Sequence, residues 1–301
     1  MLKVAYHPIY KHPLPKGHRF PMLKYELLPK QLLHEGTCVI ENFFEPKRMT
    51  DETPILAVHD SGYFYELRHL TLDKRAARKI GFPLSEALVE REIIIADGTI
   101  KASEFALKHG IAMNIAGGTH HAYSNRGEAF CMFNDQAIGA RYLLNNNLVS
   151  KVLIVDLDVH QGNGTAEIFQ NEPRVFTFSM HGQSNYPFKK EQSDLDIALQ
   201  DDTNDETYLN ILKTTLPKLI DQVKPDFIYY LCGVDVLASD KLGKLAMSLA
   251  GCKERDQFVL QTCKDLNIPV MCSMGGGYSP DIKIIIEAHA NTFRLAQDIF
   301  F

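Results

Sequence analysis

Apolar positions along the chain fall into short continuous runs separated by longer stretches with helical spacing. The runs Lys3–Tyr6, Cys38–Glu41, Ile111–Ile115, Val152–Asp156, Val175–Met180, Phe227–Cys232 and Pro269–Met274 are rich in β-prone residues. VLIVD and FIYYLC are apolar at nearly every position, as strands covered on both faces are. Between the runs, Asp135–Leu144, Asp205–Gln222, Cys252–Asn267 and Ile282–Ile299 carry a helical period. Such alternation predicts an α/β protein with three αβα layers around a central, mostly parallel sheet. The stretch from about 42 to 100, EREIIIADG included, is less regular and is assigned no element. No repeat, low-complexity tract or linker marks a boundary, so residues 1–301 are expected to form one domain.

Polar residues gather where these runs end. NIAGGTHH, VDLDVH, FSMHG, LCGVD and SMGGGY each follow or close a strand. In open parallel sheets, sites form in the crevice beyond the carboxyl ends of the strands. Five polar segments arriving at one rim point to an enzyme.

Composition narrows the picture only a little. The chain has 301 residues, 45% hydrophobic and 23% charged, enough to build a core without staples. Its net charge of −5 argues against a general nucleic-acid binder and weakly favours cationic substrates. The six cysteines form no CxxC pair and read as reduced, buried thiols. No signal-peptide pattern and no window near the ~18 apolar residues of a membrane span is present, so a cytoplasmic protein is expected.

The segment Asp156-Leu157-Asp158-Val159-His160-Gln161-Gly162-Asn163-Gly164 carries the most chemistry. If the strand continues through it, Asp156, Asp158 and His160 point the same way. Two carboxylates on one buried face cost several kcal/mol unless compensated, and a divalent cation held by Asp and His removes that cost. A helix cap or a buried salt-bridge network would use the same residues. Asp235, closing the run LCGVD, would complete three protein ligands and leave a position open for water, the pattern of a catalytic zinc; alone it would read as a helix N-cap. The adjacent His120 and His121 suit a general base and an electrostatic or acid partner, although a satisfied histidine pair reads the same in isolation. Tyr278 follows three glycines, whose freedom lets the backbone approach a ligand, and its phenol can donate to an oxyanion. No GxGxxG or GxxxxGK[ST] pattern makes that turn a nucleotide loop.

Taken in order, GGTHH, FCMFND, DLDVHQGNG, CGVDVLASDKLGKLAMS and GGGY resemble the histone deacetylase superfamily, from about residue 110 to the C-terminus and more loosely from HPLPKGHRFPMLKY. DVHQGNG and SDKLGKLAMSLAGCKERD look most like the class IV branch and its bacterial relatives. The resemblance implies an arginase/deacetylase-like fold and Zn²⁺ bound by Asp158, His160 and Asp235, a set that also accommodates Fe²⁺. It implies His120 and His121 as the tandem pair, Asp156 as partner of the first, Asn163 as partner of the second, and Tyr278 as the residue polarising the carbonyl. A neutral Asn163 supports imidazolium less than a carboxylate does, and His121 is taken as the base. The resemblance further implies a structural K⁺ or Na⁺ held by oxygens of Asp156, Asp158, His160, Ser179 and Met180. It implies a substrate tunnel walled by Phe130 and Tyr186, passing Gly276 and Ala129; the alanine stands where many relatives have glycine.

The implied activity is zinc-dependent hydrolysis of an acylated amine, first of all an N6-acyl-lysine in a peptide or protein. The alternatives are an amidohydrolase of acetylpolyamines or other small amides, and a non-catalytic acyl-lysine binding or scaffold protein. A binuclear arginase-type centre would need further carboxylates, but Gly162 and Leu237 stand two residues beyond His160 and Asp235 and cannot ligate through a side chain.

Overall fold

In the computed structural model, which describes residues 1–301, the chain opens with β1 (Lys3–Ala5), α1 (Lys24–His34), β2 (Phe43–Phe44), α2 (Thr53–Leu56), α3 (Ser61–Arg68), α4 (Lys74–Ile80) and α5 (Glu86–His109). It continues through β3 (Ile111–Asn114), α6 (Asp135–Asn145), β4 (Val152–Asp156), α7 (Asn163–Phe169), β5 (Val175–Gly182) and β6 (Leu195–Leu199). The last elements are α8 (Asp205–Val223), β7 (Phe227–Leu231), α9 (Leu249–Asp265), β8 (Val270–Ser273) and α10 (Ile282–Phe300).

The eight strands form one sheet in the order β2-β1-β3-β8-β7-β4-β5-β6, and every neighbouring pair is parallel. Helices flank it, giving the three-layer αβα architecture. Every residue of β3, β4, β7 and β8 is buried, which is why those runs carry no polar alternation. All six cysteines are buried and unpaired.

One expectation needs correction. Cys38–Glu41 is not a strand: Ile40–Asn42 is a short 3₁₀ turn, and the strand follows at Phe43–Phe44. The Asn42 side chain decides this, accepting from the Val39 N–H at 2.7 Å and donating to the Leu2 carbonyl at 2.8 Å. The helix after DVHQGNG starts at Asn163.

The stretch without an assignment contains the longest helix. Within α5 every residue from Arg91 to Ile100 is buried, so no wet face is left to reveal a period. Its charges are paired internally, Arg91 with Glu92 and Asp97 with Lys101. Ser85 caps its first turn and Gly110, in the left-handed region at φ +88°, ends it.

Candidate active site

Polar segments leave the carboxyl ends of β3, β8, β7 and β4, four strands that lie side by side. Parallel order delivers each of those ends to the same rim, and the sequence-predicted residues meet there.

β4 stops at Asp156, so strand alternation does not reach Asp158 and His160. Side-chain hydrogen bonds place them instead. Asp156 Oδ1 accepts from the Asp158 N–H at 3.1 Å, and Asp158 Oδ1 accepts from the His160 N–H at 3.0 Å. Such bonds from a carboxylate to the backbone two residues on bend the chain as a turn does. Asp235 arrives from β7, its Oδ1 accepting from the Val159 N–H at 2.9 Å. His160 Nδ1 then lies 3.0 Å from Asp158 Oδ1 and 3.2 Å from Asp235 Oδ2. One donor atom from each of the three falls within 4.8 Å of the others, and all three residues are buried.

This trio calls for a positive charge. Burial pushes the Asp235 carboxyl up to about 7, and the neighbouring Asp158 acts in the same direction. Burial pulls His160 down, but the two carboxylates override it and raise the ring to about 10. Two buried carboxylates around one imidazole are balanced either by a proton on the ring or by a cation at its lone pair. Oxygen and nitrogen donors of this kind suit a divalent ion with an open coordination position. The residues therefore fit a metal, and together they form the one group of metal-binding type in the fold.

The two histidines beside the trio have ring centres 4.1 Å apart, their planes tilted by 49°, and unlike partners. His120 Nδ1 lies 2.7 Å from Asp156 Oδ2; burial lowers its pKa, but the Asp156 and Asp158 charges outweigh burial and raise it. His121 Nδ1 lies 2.6 Å from Asn163 Oδ1; burial and then the charges of His120 and His160 hold it well below the usual histidine range. The two rings are thus pushed in opposite directions, His120 towards the charged form and His121 towards the neutral one.

Tyr278 sits half-buried at the end of the glycine turn, its ring centre 6.1 Å from that of Phe130 and 6.5 Å from that of His160. Burial, then the Asp235 and Asp158 charges, push its phenol well above 10, so it keeps its proton. Gly276 is required here. Its N–H donates to Asp158 Oδ2 at 2.8 Å, and a Cβ at that position would collide with the Asp235 carboxylate.

The side chains face a mouth of about 610 Å³, lined by His121, His160, Tyr278, Phe130, Ala129 and Tyr186 among others. Gly276 lies deeper, with Asp158 and the two histidines. Ala129 and Phe130 both take left-handed backbone, at φ +44° and +70°. Their N–H groups donate to the Lys79 and Ile80 carbonyls at 2.9 and 2.6 Å, which fixes the Phe130 ring at the wall. Ser179 lies beside Asp156 in the β4–β5 ladder, with Met180 next to it, and the Ser179 hydroxyl is 3.0 Å from His181 Nδ1.

Two supporting residues carried no role in the sequence reading. Asp240 Oδ2 accepts from the Tyr278 N–H at 2.5 Å, while its Oδ1 binds the N–H groups of Leu242 and Gly243 at 2.8 and 2.9 Å. An aspartate three residues before a glycine is a turn signal, but nothing in the sequence ties that turn to Tyr278. Tyr123, two residues past the histidine pair, accepts from Asn163 Nδ2 at 2.9 Å and donates to Glu191 at 3.1 Å.

Sheet order and rim site together define a three-layer α/β protein of the arginase–deacetylase architecture. The histone deacetylase domain profile matches residues 18–293, and the chain belongs to that family, which implies deacetylase-type hydrolase activity. An uncharacterized protein of Picosynechococcus sp. is 44% identical over 297 residues, 99% of each chain. Histone deacetylase clr6 of Schizosaccharomyces pombe is 32% identical, covering 91% of this chain and 70% of its own length. Histone deacetylase 2 of Arabidopsis thaliana is 29% identical, over 93% and 74%. Among solved structures, an HDAC homolog from Aquifex aeolicus aligns with a TM-score of 0.82 at 24% identity, covering 97% of this chain and 82% of its own. An HDAC homolog complexed with SAHA gives 0.82 at 25%, over 98% and 82%. No helix of the chain is long and apolar enough to cross a membrane.

Proposed function

We propose that the chain is a single-domain deacylase that hydrolyses an N6-acyl-lysine amide in peptides or proteins, with Asp158, His160 and Asp235 holding one Zn²⁺. The observation that carries this reading is the juxtaposition at one mouth of that trio, two histidines with opposite charge preferences, and a protonated phenol. When bound, the metal supplies Lewis acidity that polarises a carbonyl and acidifies a water.

The chain's own residues divide the remaining work. Asn163 Nδ2 is committed as donor to Tyr123, so its Oδ1 faces His121 and accepts from Nδ1–H. That fixes the tautomer and leaves the His121 Nε2 lone pair free to take a proton from water and later return it to the departing lysine amine. His120, favoured in its charged form by Asp156, adds positive field beside the developing negative charge. The Tyr278 hydroxyl donates to the carbonyl oxygen as it becomes an oxyanion, and Asp240 positions it through its N–H. Phe130 and Tyr186 flank the acyl-lysine stem, and Ala129 and Gly276 bound its path.

A structural K⁺ or Na⁺ would use Asp156, the Ser179 hydroxyl and main-chain oxygens of Asp158, His160 and Met180; the ladder pairing of Asp156 with Ser179 supports that placement. The DVHQGNG and SDKLGKLAMS segments support a position near the class IV branch.

The test is a panel of lysine peptides bearing acetyl, butyryl, decanoyl or myristoyl groups, with acetylpolyamines alongside. The zinc-loaded protein is expected to bind one ion per chain and to hydrolyse acyl-lysine. A chelator should abolish turnover, added zinc should restore it, and a hydroxamate such as SAHA should block it. A chain that binds zinc through these residues yet turns over no acyl-lysine peptide overturns the reading; two catalytic metals per chain would overturn the single-ion site.

A further inference from the structure

The chain as a whole is acidic, at −5, yet the mouth of its site is basic. Arg19, Lys79 and Lys244 line that mouth and all three are exposed. The only carboxylate among the lining residues is Glu128, and it is already engaged. Tyr186 donates to it at 2.5 Å, Arg126 Nε at 3.0 Å, and Lys79 Nζ stands 3.5 Å away. Lys244 lies 3.7 Å from Asp201, a pair with both side chains exposed and therefore weakly held. Arg19 has no carboxylate partner: its guanidinium rests 5.0 Å above the Phe130 ring, which holds the charge at the entrance. Phe188, 90% exposed, supplies an apolar contact on the same rim.

We propose that this rim selects acyl-lysines set in acidic segments, with carboxylates one or two residues from the acylated lysine. The inference rests on the deacylase reading above. A space of about 610 Å³ is roughly 8 to 9 Å across, so an extended segment with the acylated lysine at its centre meets the rim one or two residues to either side, at about 3.3 Å each. Carboxylates at those positions meet the rim cations Arg19 and Lys244 while the acylated side chain enters between Phe130 and Tyr186. Clustered charge of one sign at a cleft raises the local concentration of the opposite charge, and salt screens it beyond about 10 Å at 0.1 M. The same field disfavours cationic substrates such as acetylpolyamines and lysine-rich tails, against the direction that net charge alone suggests. What selects is the charge at the entrance.

Three peptides of one length and one acyl group, flanked by Glu, by Ala or by Lys, test the inference on the zinc-loaded protein at low and at about 0.5 M salt. At low salt kcat/KM should fall in the order Glu, Ala, Lys, by about tenfold overall, mostly through KM, and the spread should collapse at high salt. Exchanging both Arg19→Glu and Lys244→Glu should invert the order. The salt series on the unaltered chain gives an independent readout should that variant fold poorly. Equal KM for the three peptides at low salt, or preference for Lys, overturns the rim assignment and leaves the deacylase reading standing. Turnover of none of them overturns the deacylase reading, and the rim assignment with it.

Discussion

His121 and Asn163 stand 2.6 Å apart, Nδ1 to Oδ1, in an arrangement that leaves the imidazole neutral while its neighbour His120 leans on a carboxylate. An amide in that position orients the ring without adding negative charge. Asn163→Asp should raise the His121 pKa by roughly one to three units. A base must be unprotonated to work, so the rise of kcat/KM with pH should move to higher pH by the same interval. A pH profile measured on both proteins decides this; a limb that stays put, with zinc still bound, would remove His121 as the base.

Tyr278 offers a test of a different kind. Its hydroxyl is given no part in holding the metal, and the ring packs against Phe20 and Phe130. Tyr278→Phe should therefore keep the zinc content and the fold while lowering kcat by about 10²–10³. Near-normal kcat would rule out oxyanion donation from this phenol.

The turn at Ala129 stores backbone strain. An alanine in the left-handed region costs about 1–2 kcal/mol, and glycine gives back about 0.4–1 kcal/mol through the entropy of the unfolded chain. Ala129→Gly at φ +44° should thus stabilise the protein by roughly 0.5–1 kcal/mol. Denaturant melts should show a higher midpoint at unchanged slope; a lower midpoint would mean that the methyl group contributes packing that outweighs the strain.

A pH dependence of stability is built in at His59. Its Nδ1–H donates to the Tyr123 carbonyl at 3.0 Å and its Nε2 accepts from the Asn134 N–H at 3.0 Å, so both nitrogens are committed in the neutral form. Burial pulls its pKa from 6.5 down to about 4. The unfolded chain therefore binds this proton first, and the contribution is complete above about pH 6.5 and is lost as pH falls towards 4, to a limit of about 3 kcal/mol. The stability gap between the wild type and His59→Gln should be about 2 kcal/mol smaller at pH 5 than at pH 7. Unfolding curves at the two pH values check it; a gap that does not narrow would show that the ring titrates normally.

How much of this was readable in the sequence depended on how each segment meets water. VLIVD and FIYYLC showed themselves as buried strands because nothing polar interrupts them, and β4 begins and ends where the run does. α5 escaped for the same reason: a helix covered on every side has no wet stripe to carry a period. Asn42 turned an apparent strand into a 3₁₀ turn through a bond to Leu2, a partner forty residues away. At the site, the paired aspartates and the histidine were legible as chemistry, although their placement comes from side-chain turns and not from strand alternation. Asp240 and Tyr123 were not, since their partners Tyr278 and Glu191 are far off in the chain.

The order β3-β8-β7-β4 has a consequence for how competence is gained and lost. No local fragment contains the centre: its histidine pair, its aspartates and its tyrosine hang from strands that become neighbours only after almost the whole chain has been threaded. Turnover should therefore appear late in refolding and vanish early in partial unfolding, which makes hydrolysis itself a gauge of whether the central sheet is intact.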